Sequence, residues 1–167
     1  MKPETRSGAV MGFQPPRGTI AGLIAPAEDA AAGAHERIRT LIADDSAVCR
    51  RTALLLLAKL PQVEMVGAAE DGVDALALVA SMRPDLVLMD LQMPRLNGLQ
   101  ATRRIRAEFP GVRVIMTTFN DSEDWKAASV ASGVDRFIPK ECLRDELPGA
   151  IAQLFSGRAG VAEGARL

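Results

Sequence analysis

An α/β fold, with a parallel sheet covered by helices on both faces, is predicted by three observations. Short apolar or β-rich runs alternate with helical patterns five times between residues 37 and 155. Pro, Gly or Asp-Gly steps punctuate the junctions. The central run, Leu86 to Met89, is continuously apolar, as a strand buried on both faces of a parallel sheet should be. Such alternation implies right-handed crossovers, with all C-terminal strand ends along one edge.

The elements follow in order. Ile38 to Ala43 is β-rich and runs into Asp44-Asp45-Ser46. Ser46 to Leu60 is helical, opened by a Ser or Asp cap and stopped by Pro61. Val63 to Ala69 reads as a strand, and Glu70-Asp71-Gly72 turns the chain into a helix from about Val73 to Met82. The third strand ends on Asp90, after which Pro94 and Gly98 mark a sharp turn. Asn97 to Phe109 is the next helix, closed by Pro110-Gly111. Val112 to Thr118 is a fourth strand, and Asp121 to Ser132 a helix ended by Gly133. Val134 to Ile138 and Leu143 to Phe155 complete the set. Residues 1–36, rich in Ala, Gly and Pro, and residues 156–167 are expected to be tails, leaving one domain over 37–155. His35, the one histidine, falls in the first tail and is expected to be solvated.

Composition narrows the function. The 167 residues are 48% apolar and 25% charged, with 20 basic against 21 acidic side chains. That balance argues against a nucleic-acid or membrane surface. No stretch has the length of a membrane-spanning helix. Cys49 and Cys142 make neither a disulfide framework nor a metal site. A cytoplasmic protein is expected.

The chemistry lies at the strand ends. Asp44-Asp45, Asp90, Thr118 and Lys140 close the first, third, fourth and fifth strands, and open α/β sheets bind ligands in the crevice outside such ends. Clustered carboxylates repel one another unless a cation compensates. Mg²⁺ suits carboxylates, a carbonyl and a phosphate. A carboxylate nucleophile beside that ion, a lysine and a hydroxyl could accept a phosphoryl group.

The sequence resembles the receiver domain of two-component response regulators. The matching pieces are Leu-Ile-Ala-Asp-Asp-Ser at 41–46, Ala-Glu-Asp-Gly-Val-Asp-Ala-Leu at 69–76, Asp-Leu-Val-Leu-Met-Asp-Leu-Gln-Met-Pro at 85–94 with Asn-Gly at 97–98, and Phe-Ile-Pro-Lys at 137–140. The resemblance implies a flavodoxin-like (βα)5 sheet in the order 2-1-3-4-5. It makes Asp90 the phosphoacceptor, and Asp45, Asp90 and the Gln92 carbonyl the Mg²⁺ ligands, with Asp44 acting mainly through a metal-bound water. Lys140 would contact phosphoryl oxygens. The family's hydroxyl-to-lysine spacing selects Thr118 over Thr117, and Phe137 matches the switch aromatic. The implied partners are a sensor histidine kinase or histidine phosphotransfer protein and a downstream protein of unknown identity, met by a monomer or a phosphorylation-dependent dimer. A stand-alone phosphoacceptor switch, not an enzyme, is the leading expectation. An aspartate-nucleophile phosphatase would want Asp where Gln92 stands, and a constitutive binding module would not need the intact acidic set. Glu141, where the family commonly has Pro after the lysine, leaves the output mode open.

Two patches remain. Leu54 to Leu57 covers roughly 300° of a helix, so the sheet cannot bury all four. They either pack on a neighbouring helix or meet a partner. On the fourth helix, Ala127, Val130 and Ala131 read as the core face, which leaves Trp125 partly exposed.

Overall fold

Each apolar run forms a strand, and each intervening pattern a helix. The computed structural model describes residues 37–120 and 122–157. The order is β1 (Ile38–Ala43), α1 (Ala47–Leu57), β2 (Val63–Ala69), α2 (Gly72–Met82), β3 (Leu86–Asp90), α3 (Gly98–Glu108), β4 (Arg113–Thr118), α4 (Glu123–Ala131), β5 (Arg136–Pro139) and α5 (Leu143–Leu154), with a 3₁₀ turn at Lys140–Cys142 before α5. The tail expected over 1–36, with His35, and nearly all of the second tail lie outside the described residues. The strands pair in parallel in the order β2-β1-β3-β4-β5. This is the flavodoxin-like arrangement. Among the described residues no helix is long and apolar enough to cross a membrane.

Strand alternation sorts the core into two layers. Leu41, Ala43, Val87, Met89, Val114 and Met116 pack with Ala75, Val79, Ala101 and Ile105 of α2 and α3. Ile38, Ile42, Leu86, Leu88, Ile115 and Ile138 pack with Ala53 and Leu57 of α1 and Leu143, Leu147 and Ile151 of α5. All five residues of β3 are buried, as a central strand covered on both faces requires. Pro139 ends β5, at the sheet edge where a missing N–H is tolerated.

Short caps keep the loops at the site edge tight. Ser46 accepts the Cys49 N–H at the start of α1. Asp71 accepts the N–H groups of Val73 and Asp74 at 2.7 and 3.0 Å. Asn97 and Gln100 form a reciprocal capping box on α3.

The α1 leucines divide as helical geometry demands. Leu57 is fully buried, Leu54 and Leu56 pack partly on the α1–α5 layer, and Leu55 is exposed. Helix α4 corrects the sequence reading. Ala127, Val130 and Ala131 are exposed, and Val130 keeps 75% of its surface in solvent. The inward face carries Trp125, Ala128, Ser129 and Ser132 instead. Ser129 and Ser132 can be buried because their hydroxyls donate to the carbonyls of Trp125 and Ala128, at 2.7 and 2.8 Å. Trp125 is half-buried as expected, but it belongs to the face that meets the core.

Candidate functional site

The acidic site forms because strand direction brings four chain ends to one edge. Ala43 pairs with Met89, so Asp44, the next residue after β1, stands beside Asp90 at the end of β3. Carboxylate oxygens of Asp44, Asp45 and Asp90 lie within 4.8 Å of one another. Asp44 and Asp90 are buried, at 5% and 4% exposure, and Asp45 is exposed. Lys140, just beyond β5, reaches back to bridge the two buried acids. Its Nζ is 2.7 Å from Asp44 and 3.0 Å from Asp90.

Burial and the acidic neighbours oppose the charge on Asp90. Desolvation is the main cause, Asp44 and Asp45 add to it, and Lys140 only partly offsets them, so the Asp90 carboxyl is pushed up to about 6. For Lys140 the balance is reversed. Desolvation disfavours its charge, but the hydrogen bonds it donates to Asp44 and Asp90 outweigh that and raise its pKa.

The loop after Asp90 is held close. The Leu91 N–H donates to Thr117 O at 2.8 Å, and the Gly98 N–H returns to Leu91 O at 3.0 Å. A Cβ on Gly98 would run into the Asp90 carbonyl, which explains glycine at this close approach. Gln92 sits in this loop with its side chain exposed.

The two threonines point to different layers. Asp90 pairs with Thr117 and Pro139 with Thr118. Alternation puts Thr118 on the layer of Met116 and the half-buried Phe137, and Thr117 on the α1–α5 layer. The Thr118 hydroxyl accepts the Asn120 N–H at 3.1 Å, whereas Thr117 lies 3.4 Å from Met89 O as a donor. Thr117 also lines a cavity of about 310 Å³ that is bounded by Val48, Cys49, Leu56, Phe119 and Lys140.

Sequence reasoning passed over three residues here. Phe119, 66% exposed, places its ring 5.0 Å from Lys140 Nζ. Arg50 donates to the carbonyls of Asp44 and Asp45 at 2.8 and 3.1 Å. Arg95 pairs with Asp71 and Asp74. Arg50 had a signal. A cation in the opening turns of a helix opposes the helix dipole and asks for a specific partner.

Residues 40–152 match the response regulator receiver domain. The chain belongs to that family. The receiver is 33% identical over 125 residues to the transcriptional regulatory protein DegU of Brevibacillus brevis, covering 75% of this chain and 53% of that protein. It is 31% identical over 121 residues to the response regulator GacA of Pseudomonas aeruginosa, covering 72% of this chain and 56% of GacA. It therefore spans about half the length of these relatives. Among solved structures, the response regulator domain of Thermotoga maritima CheB superimposes with a TM-score of 0.65 at 27% identity, covering 74% of this chain and 97% of that one. A LuxR-family two-component response regulator from Aurantimonas gives a TM-score of 0.69 at 28% identity, over 73% of this chain and 87% of that one. The receiver is thus a phosphoacceptor signalling domain with its acidic pocket at Asp44, Asp45 and Asp90.

Proposed function

We propose that Asp90 accepts a phosphoryl group from a sensor histidine kinase or histidine phosphotransfer protein in the cytoplasm, and that the receiver then switches the face formed by α4, β5 and α5 for a downstream partner. The observation that carries this reading is the placement of Asp90. It is a buried carboxylate with its pKa pushed up to about 6, set against Asp44, Asp45 and the ammonium of Lys140.

The donor set fits Mg²⁺. Three carboxylates against one ammonium leave an excess of hard, negative oxygen ligands. Asp45, Asp90 and the Gln92 carbonyl would hold the ion, with Asp44 acting through a bound water. When bound, Mg²⁺ supplies charge that offsets the repulsion between the carboxylates and the incoming phosphoryl oxygens.

The chain's own residues do the rest. An Asp90 oxygen attacks phosphorus and forms the O–P bond of an acyl phosphate. The N–P bond to the donor histidine breaks, and its electron pair leaves with the imidazole. Lys140 moves from its carboxylate partners to a phosphoryl oxygen. Thr118 turns its hydroxyl to another, opening space behind β4 for Phe137. Trp125 and Phe137 pack against the same core layer, so the rearrangement reaches α4.

Intact mass after incubation with acetyl phosphate and Mg²⁺ tests the acceptor. One added phosphate is expected, absent in Asp90→Asn and with a chelator. Equal modification of Asp90→Asn overturns the assignment, and an unmodified parent protein favours a constitutive binding module. Trp125 fluorescence tests the relay. It should shift on phosphorylation in the parent and in Thr117→Ala, and shift far less in phosphorylated Thr118→Ala. The reverse pattern assigns the hydroxyl to Thr117.

A further inference from the structure

Two acids at the end of β2 take no part in the proposed chemistry, yet each grips an arginine that holds a site loop. Glu70 accepts from Arg50 at 2.6 Å, and that guanidinium also binds the carbonyls of Asp44 and Asp45. Asp71 pairs with Arg95, which lies in the loop between Asp90 and α3. Arg95 also reaches Asp74 at 3.0 Å. The same loop is pinned a second time, because the Gly72 N–H donates to Leu96 O at 3.1 Å and a Cβ on Gly72 would strike that carbonyl. Asp71 is extended, with φ −161° and ψ 177°. Adjacent side chains on extended backbone point opposite ways, so one turn can hold two separate loops.

We propose that the β2–α2 turn is a brace for the phosphoacceptor site, in which Glu70 through Arg50 and Asp71 through Arg95 set the spacing between the Asp44–Asp45 loop and the Asp90 loop. The inference rests on the Mg²⁺-assisted reading given above. Arg50 and Arg95 are positioning residues. They touch the loop backbone and the turn, not the reacting atoms.

The energetics separate this role from ordinary stabilisation. Each pair has one open end, Arg95 at 56% and Glu70 at 66% side-chain exposure against Asp71 at 5% and Arg50 at 14%, so solvent screens the charges and the net contribution of each pair to folding is modest. Arg95 is even held at φ 61°, a left-handed conformation that disfavours every residue with a Cβ. Mg²⁺ demands near-ideal octahedral geometry. A small shift of either loop therefore costs little stability but misplaces a ligand. The sign of the effect is diagnostic. Arg50 and Arg95 are cations near an acidic site, so by Coulomb's law alone their removal should tighten binding of a divalent cation. The brace requires removal to weaken it.

The test is calorimetric titration of Mg²⁺ into the parent, Arg50→Gln and Arg95→Gly proteins without phosphodonor, alongside thermal melts. Arg95→Gly removes the guanidinium while relieving the positive φ. Mg²⁺ affinity is expected to fall about fivefold to tenfold in Arg50→Gln and about threefold in Arg95→Gly. Arg95→Gly should melt no lower than the parent, so that weaker binding there cannot come from partial unfolding. Variants that bind Mg²⁺ as tightly as the parent, or more tightly, while the parent takes up both Mg²⁺ and phosphate, overturn the brace alone. A parent that takes up neither overturns the proposed function, and the brace with it.

Discussion

Asp71, after β2, and Asp90, at the end of β3, lie along the same edge of the sheet, and each is only 4% exposed. Their environments push them in opposite directions. Burial works against ionisation of Asp71 too, but the N–H groups of Asp74 and Val73 and the Arg95 guanidinium outweigh it, and the carboxyl is held below its ordinary value. Asp90 meets two further carboxylates and shares its lysine with Asp44, so desolvation prevails and its carboxyl rises to about 6. Burial alone does not mark an acid as reactive. The donors that surround it decide. Asp71 is a completed helix cap, whereas Asp90 has oxygen ligands to spare for a cation and a phosphoryl group.

The largest expected effect that could break this contrast is on Asp71. Asp71→Ala removes the buried carboxylate that accepts the Val73 and Asp74 N–H groups, and should destabilise the protein by about 2–3 kcal/mol. Denaturant unfolding measures it. A loss under about 0.5 kcal/mol would mean the cap and ion pair do not hold the turn.

The next effect has the opposite sign. Because the folded-state pKa of Asp90 is raised, its contribution to stability is fully present below the unfolded pKa near 4 and is lost as pH rises through about 6. In chelator, Asp90→Asn should therefore be more stable than the parent at pH 7.5, by about 1–3 kcal/mol. The gap should close as pH falls from 6 towards 4, and saturating Mg²⁺ should narrow it by stabilising only the parent. A parent more stable than Asp90→Asn at pH 7.5 without metal would place Asp90 with Asp71 as a satisfied acid.

The smallest effect sharpens the picture away from the site. Val130→Ser on the outer face of α4 should change stability by no more than about 0.5 kcal/mol, whereas Ser129→Val should destabilise the inner face. Equal losses at both positions would contradict the phase of α4 described here.

That helix also shows where the sequence is legible. The strands could be read because Leu86 to Met89, Ile38 to Ala43 and Val112 to Thr118 are short apolar or β-rich runs with turn signals on either side, and burial on both faces needs no phase. Residues 126–132, the later turns of α4 and its cap, are Lys, Ala, Ala, Ser, Val, Ala and Ser. With one bulky aliphatic among small side chains, Val130 attracted the core assignment. Serines able to satisfy their own hydroxyls within the helix took that place instead. Among the site residues, Asp44, Asp45, Asp90 and Lys140 were legible from strand ends, because topology alone brings them together. Arg95 and Phe119 were not. Their contacts arise from loop conformation, and no periodicity predicts a left-handed Arg95 or a phenyl ring beside Lys140. Which threonine serves the phosphoryl group depends on strand phase at a single residue, a point that the paired variants of Thr117 and Thr118 address.

The central claim is that Asp90 is the acid left short of donors. Carboxyl-carbon NMR titration of Asp71 and Asp90 in one selectively labelled sample tests it most directly. Without metal, Asp71 should titrate below its ordinary value and Asp90 near 6. Adding Mg²⁺ should lower the Asp90 value and leave Asp71 where it was. An Asp90 that titrates below 4 without metal, or that does not respond to Mg²⁺, would contradict the account.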